Sequence, residues 1–299
     1  MSDQTAYFFW DLGQYLLNGI AQGSIYALVA LGYTMVYGII RLINFAHGEF
    51  YMVGAFVGLF LIQAHLPFLV ALPLAMLGSG VLAMTVERLV YRPIRKAGKI
   101  QALITALGVS LLLQYLGQNL MGADPRPFPD ALENKTYMLG ELMISKIQII
   151  IILTTIILMG ALRYLVMHTK IGKAMRATSY NLEAAELMGI NTNKVISFTF
   201  FVGAALAGAA GVLVGMYYNT VEPMMGLIPG LKAFVAAVLG GIGVIPGAVL
   251  GGLVLGVAEN LVIGFWVSTY RDAIAFAILI IILLIRPAGL LGKNTREKV

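Results

Sequence analysis

Cysteine is absent from the 299-residue chain, which excludes disulfides, thiolate metal sites and cysteine nucleophiles. Charge is scarce as well: 11% of the residues are Asp, Glu, Lys or Arg, against 60% hydrophobic, and the mean hydropathy is +0.88. That leaves too little polar surface for an ordinary water-soluble domain. Nucleotide-binding glycine motifs are missing: neither "IGKA" at 171–174 nor "LGKN" at 291–294 fits a P-loop, so the chain does not hydrolyse ATP by that route. The opening stretch "MSDQTAYFFWD" carries Asp3 and Asp11 but no basic residue. It lacks the positive region of a cleaved signal peptide, so the first apolar segment is expected to remain in the mature protein.

What is abundant is apolar length. A helical span needs roughly 17 to 25 apolar residues, and suitable runs fall at 12–40, 44–64, 67–88, 100–121, 146–166, 195–217, 233–264 and 272–290. The expected fold is all-α, a polytopic integral membrane protein of about eight transmembrane helices forming one transmembrane domain over 1–299. The first and seventh runs exceed one span and contain glycine, so a half-helix or re-entrant loop is expected in either.

The net charge of +6 is topological rather than a nucleic-acid signal, because the basic residues cluster in short connections. Arg88, Arg92, Arg95, Lys96 and Lys99 face Glu87 alone, and Arg163, Lys170, Lys173, Arg176 and Lys194 face Glu183 and Glu186. Both regions read as cytoplasmic. Residues 121–145 balance Asp124, Asp130, Glu133 and Glu141 against Arg126 and Lys135 and contain three prolines, so they read as an external, non-helical loop. The tail, with Arg286, Lys293, Arg296 and Lys298 against Glu297, reads as internal. An internal tail requires an odd number of crossings after the external loop at 217–232, hence two crossings within 233–264 or a misassigned end.

Glycine pairs at four-residue spacing, Gly19/Gly23, Gly54/Gly58, Gly211/Gly215, Gly247/Gly251 and Gly252/Gly256, place small residues on one helical face and imply close packing. Residues 239–260, "LGGIGVIPGAVLGGLVLGVAEN", hold seven glycines and Pro246. A break there, at Gly240, Gly241, Gly243 and Pro246, frees backbone groups that hydrocarbon does not satisfy, so it is either buried in protein or lines a wet pathway.

Within the cytoplasmic loop 168–194, "NLEAAELMGI" at 181–190 reads as a short helix. Asn181 caps it, Glu183 and Glu186 suit its first turns, and Gly189 ends it in a left-handed conformation. Leu182, Ala185 and Met188 or Gly189 form one side. Such a helix suits a groove on a cytosolic partner, or is a plain solvated surface helix.

Asn44, His47 and Glu49 stand out between two apolar runs, with Arg41 just before them. They line a pathway or gate, or they are structural: Asn44 capping the next helix, Glu49 or His47 meeting a helix end or Arg41. His47 has no companion ligands at metal spacing. Glu259 and Asn260, after 26 uncharged residues, carry the same two readings.

"NFAHGEFYMVGA" at 44–55, the Glu183-Ala184-Ala185-x3-Gly189 loop, "GGIGVIPGAVLGGLVLGVAENL" at 240–261 and "IRPAGLLG" at 285–292 together resemble the permeases of bacterial ABC importers for branched-chain amino acids. The chain looks most like the shorter, H-type permease subunit of high-affinity leucine, isoleucine and valine systems, over nearly its whole length. Urea and short-amide permeases share much of two of these motifs. The importer pattern often continues to a Leu-Pro after Gly189, which "INTNKVISF" lacks. The resemblance implies a multi-pass protein of the bacterial inner membrane with no catalytic role, cofactor or nucleic acid of its own. Its implied partners are a second homologous permease in a heterodimer, two cytoplasmic ABC ATPases that bind the ATP, and a periplasmic amino-acid-binding protein. The alternatives from the residues alone are a secondary carrier using Glu49 and Glu259 as ion relays, and an enzyme, for which no nucleophile and base pair is present.

Overall fold

The computed structural model describes residues 3–95, 97–132 and 135–292. Lys96, Glu133, Lys293, Arg296, Glu297 and Lys298, counted above in the charge balance, lie outside the described residues.

In hydrocarbon each backbone N–H and C=O needs a partner within its own segment, so long apolar runs become helices. The first run is one unbroken helix, α1 (Asp3–Ile40), despite its glycines. After it come α2 (His47–Gln63) and α3 (Phe68–Val86), which continues through a π-helical turn at Glu87–Tyr91 into α4 (Arg92–Ile94). Then α5 (Lys99–Met121) and α6 (Lys146–His168) flank the loop with the three prolines. Two short helices, α7 (Lys170–Tyr180) and α8 (Leu182–Leu187), precede the long α9 (Thr192–Tyr218). The chain finishes with α10 (Leu227–Gly240), α11 (Ile245–Phe265) and α12 (Arg271–Ile285).

Among the described residues, seven helices are long and apolar enough to cross a membrane. The 17-residue α2 and 14-residue α10 are shorter and largely buried among them. The Pro-containing loop is not helical, as expected, and two small ribbons form around it: β2 (Thr136–Leu139) pairs antiparallel with β3 (Leu142–Ser145), and β1 (Arg126–Pro127) with β4 (Thr220–Val221).

The basic segments fix the orientation. Ile40 at the end of α1 with Arg41, Arg95 after α4, and Thr178 to Leu182 in α7 and α8 line one shared cleft, so all lie at one end of the bundle, the inner one by the rule that basic connections stay inside. Helix α1 therefore starts on the outer side. Helix α11 packs antiparallel on it through small residues: a Cβ added at Gly23 would lie 2.8 Å from the Gly252 carbonyl oxygen, and one at Gly252 would lie 2.6 Å from the Ala27 nitrogen. Helix α9 lies beside α2 and α3, with Gly208 meeting both Gly54 and Ser79. Every small-residue pair named from the sequence thus meets another part of the same chain rather than lipid.

The apolar run 233–264 is not one span. It divides into α10, running inward, and α11, running outward, and α12 then returns inward, which supplies the odd number of crossings an internal tail needs. The break between them needs glycine, since Gly241 and Gly243 have φ of 103° and 91°. Pro246 sits in the first turn of α11, where a missing N–H costs little. The freed carbonyls of α10 find partners in the segment after α12: the Leu290 N–H donates to Leu239 O at 2.8 Å and the Leu291 N–H to Gly240 O at 3.0 Å. The end of α10 is therefore covered by protein, with Gly240 and Gly241 buried, while Gly243 and Pro246 beyond it are exposed.

Candidate functional site

Three polar features interrupt the apolar bundle, at its middle, its outer end and its inner end.

The first is the junction of α1 and α2. Arg41 stays at the inner end, but residues 42–46 climb back into the bundle, and His47 lies against Gly32 of α1. Gly32 is eight residues before Ile40, about 12 Å along the helix. The His47 ring packs edge-on to Tyr33, with centroids 4.7 Å apart. Asn44 does not cap α2, whose N-cap is Ala46 without a side-chain bond. Its Oδ1 accepts instead from the Ala46 N–H at 3.1 Å and the Tyr91 hydroxyl at 2.6 Å, tying the junction to the π-helical turn. Glu49 is buried and does not pair with Arg41. Its Oε1 accepts from Ser110 Oγ at 2.9 Å and Gln114 Nε2 at 2.7 Å, both on α5. Its Oε2 faces Gly226, 3.2 Å from where a side chain there would begin, so the carboxylate sits at the start of both α2 and α10. A negative charge is favourable at helix N-termini.

The second feature is an outer cavity of about 470 Å³ between α1, α9, α10 and α12. Its floor is an ion cluster. Lys232 Nζ lies 2.9 Å from Glu259 Oε1 and 2.6 Å from Asp272 Oδ1. The Tyr26 hydroxyl donates to Glu259 Oε2 at 2.8 Å and accepts from Lys232 at 3.5 Å. Lys232 and Glu259 are buried, which is tolerable only because each charge is matched. Asn260 takes no part: its amide donates to Gly256 O of its own helix at 2.9 Å. Arg271, Glu222 and Tyr218 stand higher in the cavity wall, with Ile25, Val214 and Ile228 on the apolar side. Sequence reasoning found Glu259 but missed Lys232, Tyr26, Arg271 and Asp272. The available signal was Lys232, the last charge before 26 uncharged residues, which was assigned to a loop; it lies within α10.

The third feature is the inner surface around α8. The Asn181 side chain accepts from the Ala184 N–H at 2.9 Å, and Gly189, at φ 80°, closes the helix as its N–H donates to Glu186 O at 2.9 Å. Ala185 is buried and Leu182 half-buried, whereas Met188, grouped with them from its spacing, points outward. Tyr180 at the end of α7 and Leu187 and Met188 at the end of α8 are 91%, 89% and 82% exposed, apolar side chains left open on this surface. Glu183 and Ala184 lie on the exposed side too. Beneath, the buried Glu87 pairs with Arg95 and accepts from Ser197, and Arg95 donates to Asn193 Oδ1 at 3.0 Å. The inner ends of α3 and α9 are thereby joined next to α8.

Of the inner break, Gly240 and Gly241 are buried, whereas Gly243 and Pro246 are exposed, Gly243 lining a cleft with Thr34, Arg176 and Ser179. Among the described residues no group of three or more His, Asp or Glu is placed to hold a metal ion.

Known proteins give these features a context. Residues 15–283 match the family described as branched-chain amino acid transport system, permease component. The high-affinity branched-chain amino acid transport system permease protein LivH of Salmonella typhimurium is 42% identical, with all of both chains covered. BraD of Pseudomonas aeruginosa, of the same description, is 42% identical over 96% of this chain and 97% of its own. A solved structure, PsaBC from Streptococcus pneumoniae in complex with Fab, aligns with TM-score 0.47 at 14% identity over 93% of this chain and 91% of its own, too distant to argue from. A multi-pass bundle with no catalytic constellation, matched end to end by such relatives, belongs to the permease components of bacterial branched-chain amino acid ABC transport systems, whose membership implies ATPase and other transporter partners.

Proposed function

We propose that this chain forms half of a translocation pathway for aliphatic amino acids, completed by a second, different permease. Two cytoplasmic ATPases bind the ATP and drive it, and a periplasmic amino-acid-binding protein delivers substrate to the outer mouth. The observation that carries this reading is the inner surface at α7 and α8, where Tyr180 at the end of α7 and Leu187 and Met188 at the end of the capped α8 expose apolar surface. Such a surface suits a groove on a cytosolic partner. Glu183, Ala184, Ala185 and Gly189 form the element that transmits closure of the ATPase pair, and the Glu87 and Arg95 network passes the movement to α3 and α9 as rigid bodies. Asn44, His47 and Glu49 act as the gate, because the Glu49 carboxylate links α2, α5 and α10 at mid-depth.

The test is gentle-detergent purification of the tagged chain with mass spectrometry of its companions. Two P-loop ATPases and a second permease are expected. A chain that purifies alone after cross-linking refutes the assembly. A Leu187→Ser, Met188→Ser double variant is expected to lose ATPase binding while staying in the membrane; full retention of the ATPases refutes the docking edge.

A further inference from the structure

We propose that the outer cavity is a weak receiving site for a free aliphatic amino acid zwitterion, with Arg271 holding its carboxylate and Glu222 its ammonium. The proposal rests on the transport reading above and assigns that reading a place in the molecule.

The assignment follows from which charges are already used. An ammonium has three donors, and those of Lys232 are taken by Glu259, Asp272 and the Tyr26 hydroxyl. Lys232 therefore closes the cavity floor and is not free to bind a ligand. Arg271 engages only its Nε, at 3.3 Å from Asp272 Oδ1. Its terminal nitrogens, a planar fork suited to a carboxylate, remain at the cavity. Glu222, at the same cavity, is exposed, and its carboxylate has no partner among the described residues. A cation whose terminal nitrogens have no partner among the described residues and an unpaired anion thus share one cavity with an apolar wall of Ile25, Val214 and Ile228. A zwitterion with a branched aliphatic side chain matches all three surfaces. A neutral amide such as urea uses neither charge.

The volume of about 470 Å³ falls within the span of about 300 to 1,000 Å³ usual for small-molecule sites. Because both recognition charges are partly in water, each contributes little, and binding is weak, with a Kd on the order of millimolar. Weakness is what a transit site needs, since a ligand held tightly there would not move on.

The absence of cysteine supplies a site-specific test. Met224 lines the cavity and is exposed, so a Met224→Cys variant, assembled with its partner chains in membrane vesicles, offers this chain's sole thiol to N-ethylmaleimide. Millimolar leucine is expected to slow labelling of this chain at least about threefold. Leucinamide and 4-methylpentanoate, each lacking one charge, need about threefold higher concentration for the same protection. The same shift is expected for leucine when Arg271→Gln or Glu222→Gln is added. Absence of protection by leucine, equal protection by urea, or unchanged protection in both variants overturns the proposal. Leucine uptake by the Met224→Cys transporter with its binding protein separates the two readings. If that uptake proceeds without any protection, the cavity assignment alone falls. If the unsubstituted transporter shows no uptake, the transport reading falls.

Discussion

Replacing Lys232 by Met tests whether the buried ion cluster is held by charge matching. The substitution keeps the length and apolar stem of the side chain and removes only the ammonium. Glu259, 1% exposed, then keeps the Tyr26 hydroxyl but loses its counter-charge while still buried. Breaking a buried pair by removing one partner costs about 3–5 kcal/mol. Asp272 adds little to this, because its side chain is 44% exposed and water screens it. Lys232→Met alone is therefore expected to lower stability by about 3 kcal/mol or more, read as the shift in the SDS-induced unfolding midpoint in mixed micelles by circular dichroism. Adding Glu259→Gln removes the orphaned charge and should recover at least half of the loss, since a matched neutral pair often stands in for a buried ionic one. A single-variant cost below about 1 kcal/mol, or a double variant less stable than the single, would refute the reasoning.

Other expectations follow from backbone contacts and from the junction. Gly252→Leu places a Cβ 2.6 Å from the Ala27 nitrogen, where no side chain is able to yield, so the variant should fail to accumulate in the membrane. Gly108→Leu, with nothing within 4 Å of its Cβ, is the control and should express normally. Gly189→Val forces a β-branched residue to φ 80°, a cost of about 1–2 kcal/mol, and should uncouple ATP hydrolysis from uptake in vesicles while the chain stays assembled. Glu49→Ala strands the Ser110 and Gln114 donors at about 1–3 kcal/mol and should lower the unfolding midpoint. Glu49→Gln keeps a hydrogen-bonding amide there and should fold yet transport slowly; undiminished uptake removes Glu49 from the gate.

The features legible in the sequence were those carried by local patterns. The capped helix at 182–187, the inward face of the basic loops and the close-packing glycines each depend on residues a few positions apart. The division of 233–264 was only half legible: glycines and Pro246 announced a break, but the partners of the freed α10 carbonyls, Leu290 and Leu291, lie some 50 residues away. The Lys232, Glu259 and Asp272 cluster was illegible for the same reason, since its charges come from three separate helices. Depth misled in the case of His47 and Glu49. A loop between two spans reads as lying at the surface, yet this one climbs back into the bundle because Gly32 leaves room for an imidazole beside it.

Helix α12 is joined to the rest of the chain in an uneven way. Of its residues only Ala275 is fully buried, with Phe276, Ile278 and Leu279 half-buried against the core, and its outer face stands open. It is fastened at its two ends as well, by Asp272 to Lys232 outside and by the backbone of Leu290 and Leu291 to α10 inside. These fastenings answer to different chemistry. Salt and nearby charge loosen the outer one, whereas the inner one yields only when an N–H is removed, as a proline at 290 or 291 would do. The helix is a strap held by an ionic buckle at one end and a pair of backbone hydrogen bonds at the other.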